Sequence, residues 1–158
     1  MVSSGIRLVE GTEEHHTRTP AVGLLLAYAS ILPIVVGTTA SFVFAPNAVT
    51  RLTIIWAGAV LCFLSGVRRG LAFRQPGGPT IGELATMLAT FVLGVGALLS
   101  PWPVPALVLL LTGFAAVGLT DVRAARHQEA PAYFARLRPA QMAIPVVALT
   151  ILLVRCAW

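Results

Sequence analysis

A chain of 158 residues and 16.6 kDa would suit one soluble domain, yet 57% of its residues are apolar, 11% are charged and the mean hydropathy is +0.86. Soluble domains are about a quarter charged, and so few charges cannot cover a surface that faces water. An ordinary soluble globule is excluded, and the bilayer must be the solvent.

Residues 1–20 carry Arg7, Glu10, Glu13, Glu14, His15, His16 and Arg18 with little apolar periodicity, which predicts a mobile, solvated tail. Its three glutamates argue against a mitochondrial transit peptide, and its length argues against a signal-peptide leader, so the N-terminus is expected to be retained. From Ala21 to Phe44 runs an uncharged stretch longer than a hydrocarbon core requires, the first predicted span. It contains Pro33, where a kink is expected because a neighbouring helix, a hydroxyl or water must serve the carbonyl that proline leaves unmatched. Ala45-Pro46-Asn47 makes the turn. The second span is predicted over residues 49–73, with Arg51 and Arg68 snorkelling at its ends.

Gln75-Pro76-Gly77-Gly78-Pro79 breaks the helix, and Thr80 with Glu83 three residues on forms a capping box for a third span over 81–100. Pro101-Trp102-Pro103-Val104-Pro105 is a stiff turn into a fourth span over 103–120. A polar stretch from Asp121 to Arg138 follows, and Pro139 opens a fifth span over 139–157, anchored by Arg155 and Trp158. The expectation is one all-α domain over 21–158, a bundle of five transmembrane helices.

Five spans place Arg7, Arg18, Arg68, Arg69, Arg74, Arg123, Arg126, Arg136 and Arg138 on one side and only Arg51 and Arg155 on the other. By the positive-inside rule the N-terminus is cytoplasmic and the C-terminus lies on the outer side. Trp56, Trp102 and Trp158 are expected near the outer ends of their spans, where indoles favour the headgroup level. The bacterial plasma membrane is the first choice, and the mitochondrial inner membrane the second.

Several segments resemble the domain of unknown function 3429 family, small transmembrane protein 69-like inner-membrane proteins. These are Ala29-Ser30-Ile31-Leu32-Pro33, the stretch Trp56-Ala57-Gly58-Ala59-Val60-Leu61-Cys62-Phe63-Leu64-Ser65-Gly66-Val67-Arg68-Arg69-Gly70, Leu111-Thr112-Gly113-Phe114 leading to Asp121, and Pro131-Ala132-Tyr133-Phe134-Ala135-Arg136-Leu137-Arg138. Order and spacing carry the likeness over residues 22–154. The family more often has tryptophan where Arg69 stands and Trp-Tyr where Tyr133-Phe134 stand. The resemblance implies a multi-span inner-membrane protein but no activity.

No arrangement of nucleophile, base and orienter is visible, so no catalytic residue, metal site or cofactor is expected, and an enzyme is not the expectation. His15-His16 point apart in a tail and lack further ligands. No histidine lies in a span, which removes a haem held by a histidine pair, and no carboxylate lies at mid-membrane depth, which argues against ion-coupled transport. Cys62 and Cys156 lack CxxC spacing, and Cys62 reads as a small apolar filler. Thr38, Thr39, Ser41, Thr86 and Thr90 either line a polar cavity or bond back to their own helices.

Two constellations remain. Arg68, Arg69, Glu83, Asp121, Arg136, Arg138 and Gln141 fall at one depth and are either headgroup anchors or a face for an anion or lipid headgroup. Ser65, Gly66 and Gly70, with the notches at Gly94, Gly96 and Gly113, allow close helix packing within the bundle or at a subunit interface. The function expected is an accessory or assembly subunit docking on a larger membrane complex or a second copy, among membrane lipids and without nucleic acid. The alternative is a binding protein or carrier for a lipophilic anion.

Overall fold

In a computed structural model, the described residues are Leu25, 28–73, 78–126 and 133–158, with the backbone alone at Leu71, 121–126 and 133–140. They form five helices and no strand: α1 Leu32–Ala40, α2 Pro46–Ala72, α3 Ile81–Leu99, α4 Pro103–Arg126 and α5 Tyr133–Ala157. The predicted tail over residues 1–20, with His15 and His16, and the Gln75-Pro76-Gly77 part of the predicted turn lie outside the described residues.

The first predicted span is interrupted. Tyr28 and Ala29 are helical, Ser30 and Ile31 turn, and α1 begins with Pro33 in its first turn. Proline has no N–H, and the Ile34 N–H bonds to the Ile31 carbonyl at 2.9 Å, three residues back instead of four. The Ser30 carbonyl instead accepts the Trp56 indole N–H from α2 at 2.8 Å. The proline kink is thus closed by a neighbouring helix. This corrects the reading of Trp56 as an end anchor: it lies ten residues into α2, about 15 Å along the axis.

Pro46 sits at the first position of α2, where a missing N–H costs nothing. The Thr80 hydroxyl accepts the Glu83 N–H at 3.3 Å and the Glu83 carboxylate accepts the Thr80 N–H at 2.8 Å, completing the predicted capping box of α3. The polar stretch predicted from Asp121 to Arg138 is largely helical, since α4 runs on to Arg126 and α5 starts at Tyr133. Pro139 therefore lies inside α5 and does not open it. Polarity marks where helices leave an apolar phase, not where they end, because helical backbone is satisfied in either solvent.

Each helix packs on its neighbours in sequence, α1 and α5 close the ring, and α2 meets α4 across the middle. α2 is the axis: half of its span is buried, against 17% of α3. Ile54, Leu61, Leu107, Leu110, Phe114 and Leu149 are fully buried between α2, α4 and α5. Glycines set the closest approaches. A Cβ on Gly94 would stand 2.8 Å from Cys62 Sγ and 3.2 Å from the Gly58 carbonyl oxygen, and one on Gly58 would stand 2.8 Å from Leu98 Cγ. Leu61 fills the space beside Gly113, so the notches at Gly94 and Gly113 are spent inside the bundle.

Outside that core the surface is apolar, with Leu52, Phe63, Leu88, Val92, Leu119 and Val147 all exposed. The stretches Pro46–Gly70, Ile81–Leu99 and Pro103–Thr120 are long and apolar enough to cross a membrane, and Gln141–Ala157 is a shorter apolar stretch. Apolar residues buried within and exposed without are the pattern of a membrane protein.

Hydroxyls follow the back-bonding reading. Thr39 donates to the Val35 and Val36 carbonyls, Ser41 to Thr38, Thr86 to Gly82 and Thr90 to Thr86. Thr38 differs, reaching the Ala148 carbonyl of α5 at 3.4 Å. The C-terminus of α3 is served by α2: Arg51 Nη1 donates to the Ser100 carbonyl at 2.6 Å and Nη2 to the Leu98 carbonyl at 3.0 Å.

Gly94→Leu should lower stability by about 1–3 kcal/mol through overpacking, whereas Gly66→Leu, with open space over its Cα, should leave the melting temperature in detergent unchanged. Arg51→Met should cost about 1.5–3 kcal/mol, the worth of hydrogen bonds from a charged donor. A variant melting like the parent would show that water serves the Leu98 and Ser100 carbonyls equally well.

Candidate functional site

Because neighbouring helices run antiparallel, the bundle has two chemically distinct ends. One gathers the C-terminus of α2 and the N-terminus of α3, and the backbone brings the end of α4, with Asp121, and the start of α5, with Arg136 and Arg138, to the same end. The side chains of Asp121, Arg136 and Arg138 lie outside the described residues.

Of the other members of this predicted face, Arg68 is half-buried, and Arg69 is exposed with its guanidinium over the Phe73 ring at 5.7 Å from the centroid. Glu83 is tied to Thr80, whose hydroxyl also lies 2.9 Å from its carboxylate. Gln141 is 3% exposed, eight residues along α5 and beside Met142, which packs on Gly118 of α4. It therefore belongs to the interior and not to an open anion-binding face.

Three of the predicted packing residues divide in the same way. Ser65 is buried and donates to the Met87 carbonyl of α3 at 2.8 Å. Gly66 and Gly70 are exposed, and a Cβ on either would meet nothing within 4 Å among the described residues. Of the two readings of Gly66 and Gly70, packing within the bundle finds no neighbour among the described residues. With Ala59 and Phe63, also exposed, they form one outward stripe on α2 at helical spacing.

The opposite end holds a cleft of about 600 Å³ lined by Asn47, Thr50, Arg51, Ile54, Pro101, Trp102, Pro103, Arg155 and Cys156. Arg51 faces it from α2 while holding the end of α3. Arg155, in the last turn of α5, donates to Thr50 Oγ1 at 3.4 Å and lies over the Phe42 ring at 5.2 Å. Sequence reasoning placed both arginines on this side only as anchors. The signal for a site was their isolation among uncharged residues, but the convergence of α2, α4 and α5 around them is tertiary.

Both cysteines are free thiols; Cys62 fills the Gly94 notch as an apolar side chain would. Among the described residues no group of three histidine, cysteine or carboxylate side chains could hold a metal ion.

Neither a curated protein nor a solved structure matches this chain. The sequence pattern of the family described as "Protein of unknown function (DUF3429)" matches residues 19–154, nearly the whole chain and all five helices but for the last residues of α5. The likeness read from the Trp56–Gly70 segment and the later elements is thereby established, and the chain belongs to the DUF3429 family.

Proposed function

We propose that this chain is a non-catalytic, five-span protein of a bacterial inner membrane that serves as an accessory or assembly subunit, docking on a larger membrane complex through the outward face of α2. The observation that carries this reading is the contrast among its glycines. Gly58, Gly94 and Gly113 are filled by neighbours within the chain, while no described residue fills Gly66 or Gly70, which lie beside exposed Ala59 and Phe63. In lipid there is little hydrophobic gain from bringing helices together, so close approach over small residues is a main source of association, and these two positions offer it to a partner helix.

The same reading sets all five helices across the membrane with the Arg68 end cytoplasmic. It is supported by the nine-to-two division of arginines between the two sides and by the apolar Gln141–Ala157 stretch of α5. The first crossing is then completed by the helical residues before Ser30 together with α1.

Gentle-detergent purification of the tagged chain from its native membrane should retain a stoichiometric protein partner. The double variant Gly66→Leu, Gly70→Leu should lose that partner while its melting temperature stays within experimental error of the parent's. Recovery of the parent chain alone would defeat the accessory reading. For topology, a fluorescent protein fused at the C-terminus should stay dark and a periplasmic phosphatase fused there should be active; the reverse pattern would invert the assignment.

A further inference from the structure

We propose that the cleft between Arg51 and Arg155 binds an anionic amphiphile: a phosphate-bearing headgroup held by the two arginines, with its acyl chain laid in the apolar groove between α1 and α5. The inference concerns the end of the bundle opposite the Arg68 face and stands independently of the docking role.

The electrostatics come first. Among the described side chains no carboxylate stands at this end, since Glu83 belongs to the other. The charge of Arg51 is met in part by the carbonyls that end α3, worth about half an elementary charge at a helix terminus. Arg155 meets only a hydroxyl and an aromatic ring among the described residues. A guanidinium binds an anion best where no carboxylate already neutralises it, and no described side chain at this end supplies one. The cleft supplies room for an anion, and Asn47, Thr50 and Trp102 line it with further polar groups that suit phosphate oxygens.

The tail follows from position. A mainly apolar groove of about 360 Å³ runs between α1 and α5, bordered by Val35, Thr39, Ile144, Val147 and Ile151. Ile151 lies one helical turn, about 6 Å, before Arg155. On the other wall, Thr39 stands three residues before Phe42, the ring under the Arg155 guanidinium. Arg155 therefore lines the cleft one helical turn from the Ile151 end of the groove, close enough for one amphiphile to use both. Free phosphate would use the cleft and leave the groove unexplained.

The test is thermal unfolding of the full chain in neutral detergent with three probes: dioctanoyl phosphatidylglycerol, dioctanoyl phosphatidylcholine and inorganic phosphate. Phosphatidylglycerol should raise the melting temperature by roughly 3–6 °C at about ten times its dissociation constant. Phosphatidylcholine and phosphate should each give less than a third of that shift. Arg155→Gln should abolish the response, Arg155→Lys should keep part of it, and Arg69→Gln at the other end should keep all of it. Val147→Trp, which fills the groove and leaves Arg155 in place, should halve the shift or more, and it decides the matter if Arg155→Gln does not fold.

Equal stabilisation by phosphatidylcholine, or loss of the response in Arg69→Gln instead of Arg155→Gln, would overturn the assignment. An equal shift from inorganic phosphate would give the cleft to free phosphate and overturn the amphiphile, as would an undiminished response in Val147→Trp.

Discussion

Inside an apolar solvent a backbone carbonyl that lacks its helical partner has no water to turn to, and this constraint organises the bundle. Proline at position 33 shifts the hydrogen bonding of α1, and the Trp56 indole crosses from α2 to the Ser30 carbonyl. The end of α3 leaves carbonyls unmatched, and Arg51 crosses from the same helix to take two of them. Ser65 makes a third crossing, to Met87. All three donors lie on α2, at different heights, so the most buried helix is also the one that satisfies its neighbours' irregularities. Removing any one of the three would leave a carbonyl of a neighbouring element without its donor.

Close approach of α2 and α3 follows from the same economy of space. A donor such as Ser65 reaches a neighbouring backbone only when the helices nearly touch, and Gly58 and Gly94 bring them there. Glycine thus does two kinds of work on one helix. Toward α3, at Gly58, it admits Leu98 and faces the Gly94 backbone; on the outward side, at Gly66 and Gly70, no described residue fills the space that the missing side chain leaves. That asymmetry is the physical basis for reading α2 as an attachment surface.

Arginine, which fills all eleven lysine-or-arginine positions of the chain, also serves in distinct ways. Arg51 is structural in its bonds to α3, Arg69 stacks on its own helix over Phe73, and Arg155 links α5 to Thr50 and Phe42 around a cleft. Equivalent charges in a linear reading become a helix cap, an exposed anchor and a candidate ligand contact, according to which helix end stands opposite. Of the face expected from Arg68, Arg69, Glu83, Asp121, Arg136, Arg138 and Gln141, the glutamine is buried.

Much of this protein was legible without coordinates. Low charge and long apolar runs determined the solvent; prolines, glycines and the Thr80–Glu83 pair located the breaks and one cap; and the order of segments from Trp56 to Gly70 and beyond identified the family. These are local signals, written in residues close together in the chain. Helix ends in polar stretches were not legible, since charge marks the exit from an apolar phase while α4 and α5 continue beyond it. Nor was the fate of each small or charged residue. Gly94 and Gly70 look alike in sequence, as do Arg51 and Arg68, and only the packing of helices distant in the chain decided which glycine is filled and which arginine borders a cleft. A helix presents every side of itself in its sequence, and which side meets a neighbour is set by the simultaneous fit of all five.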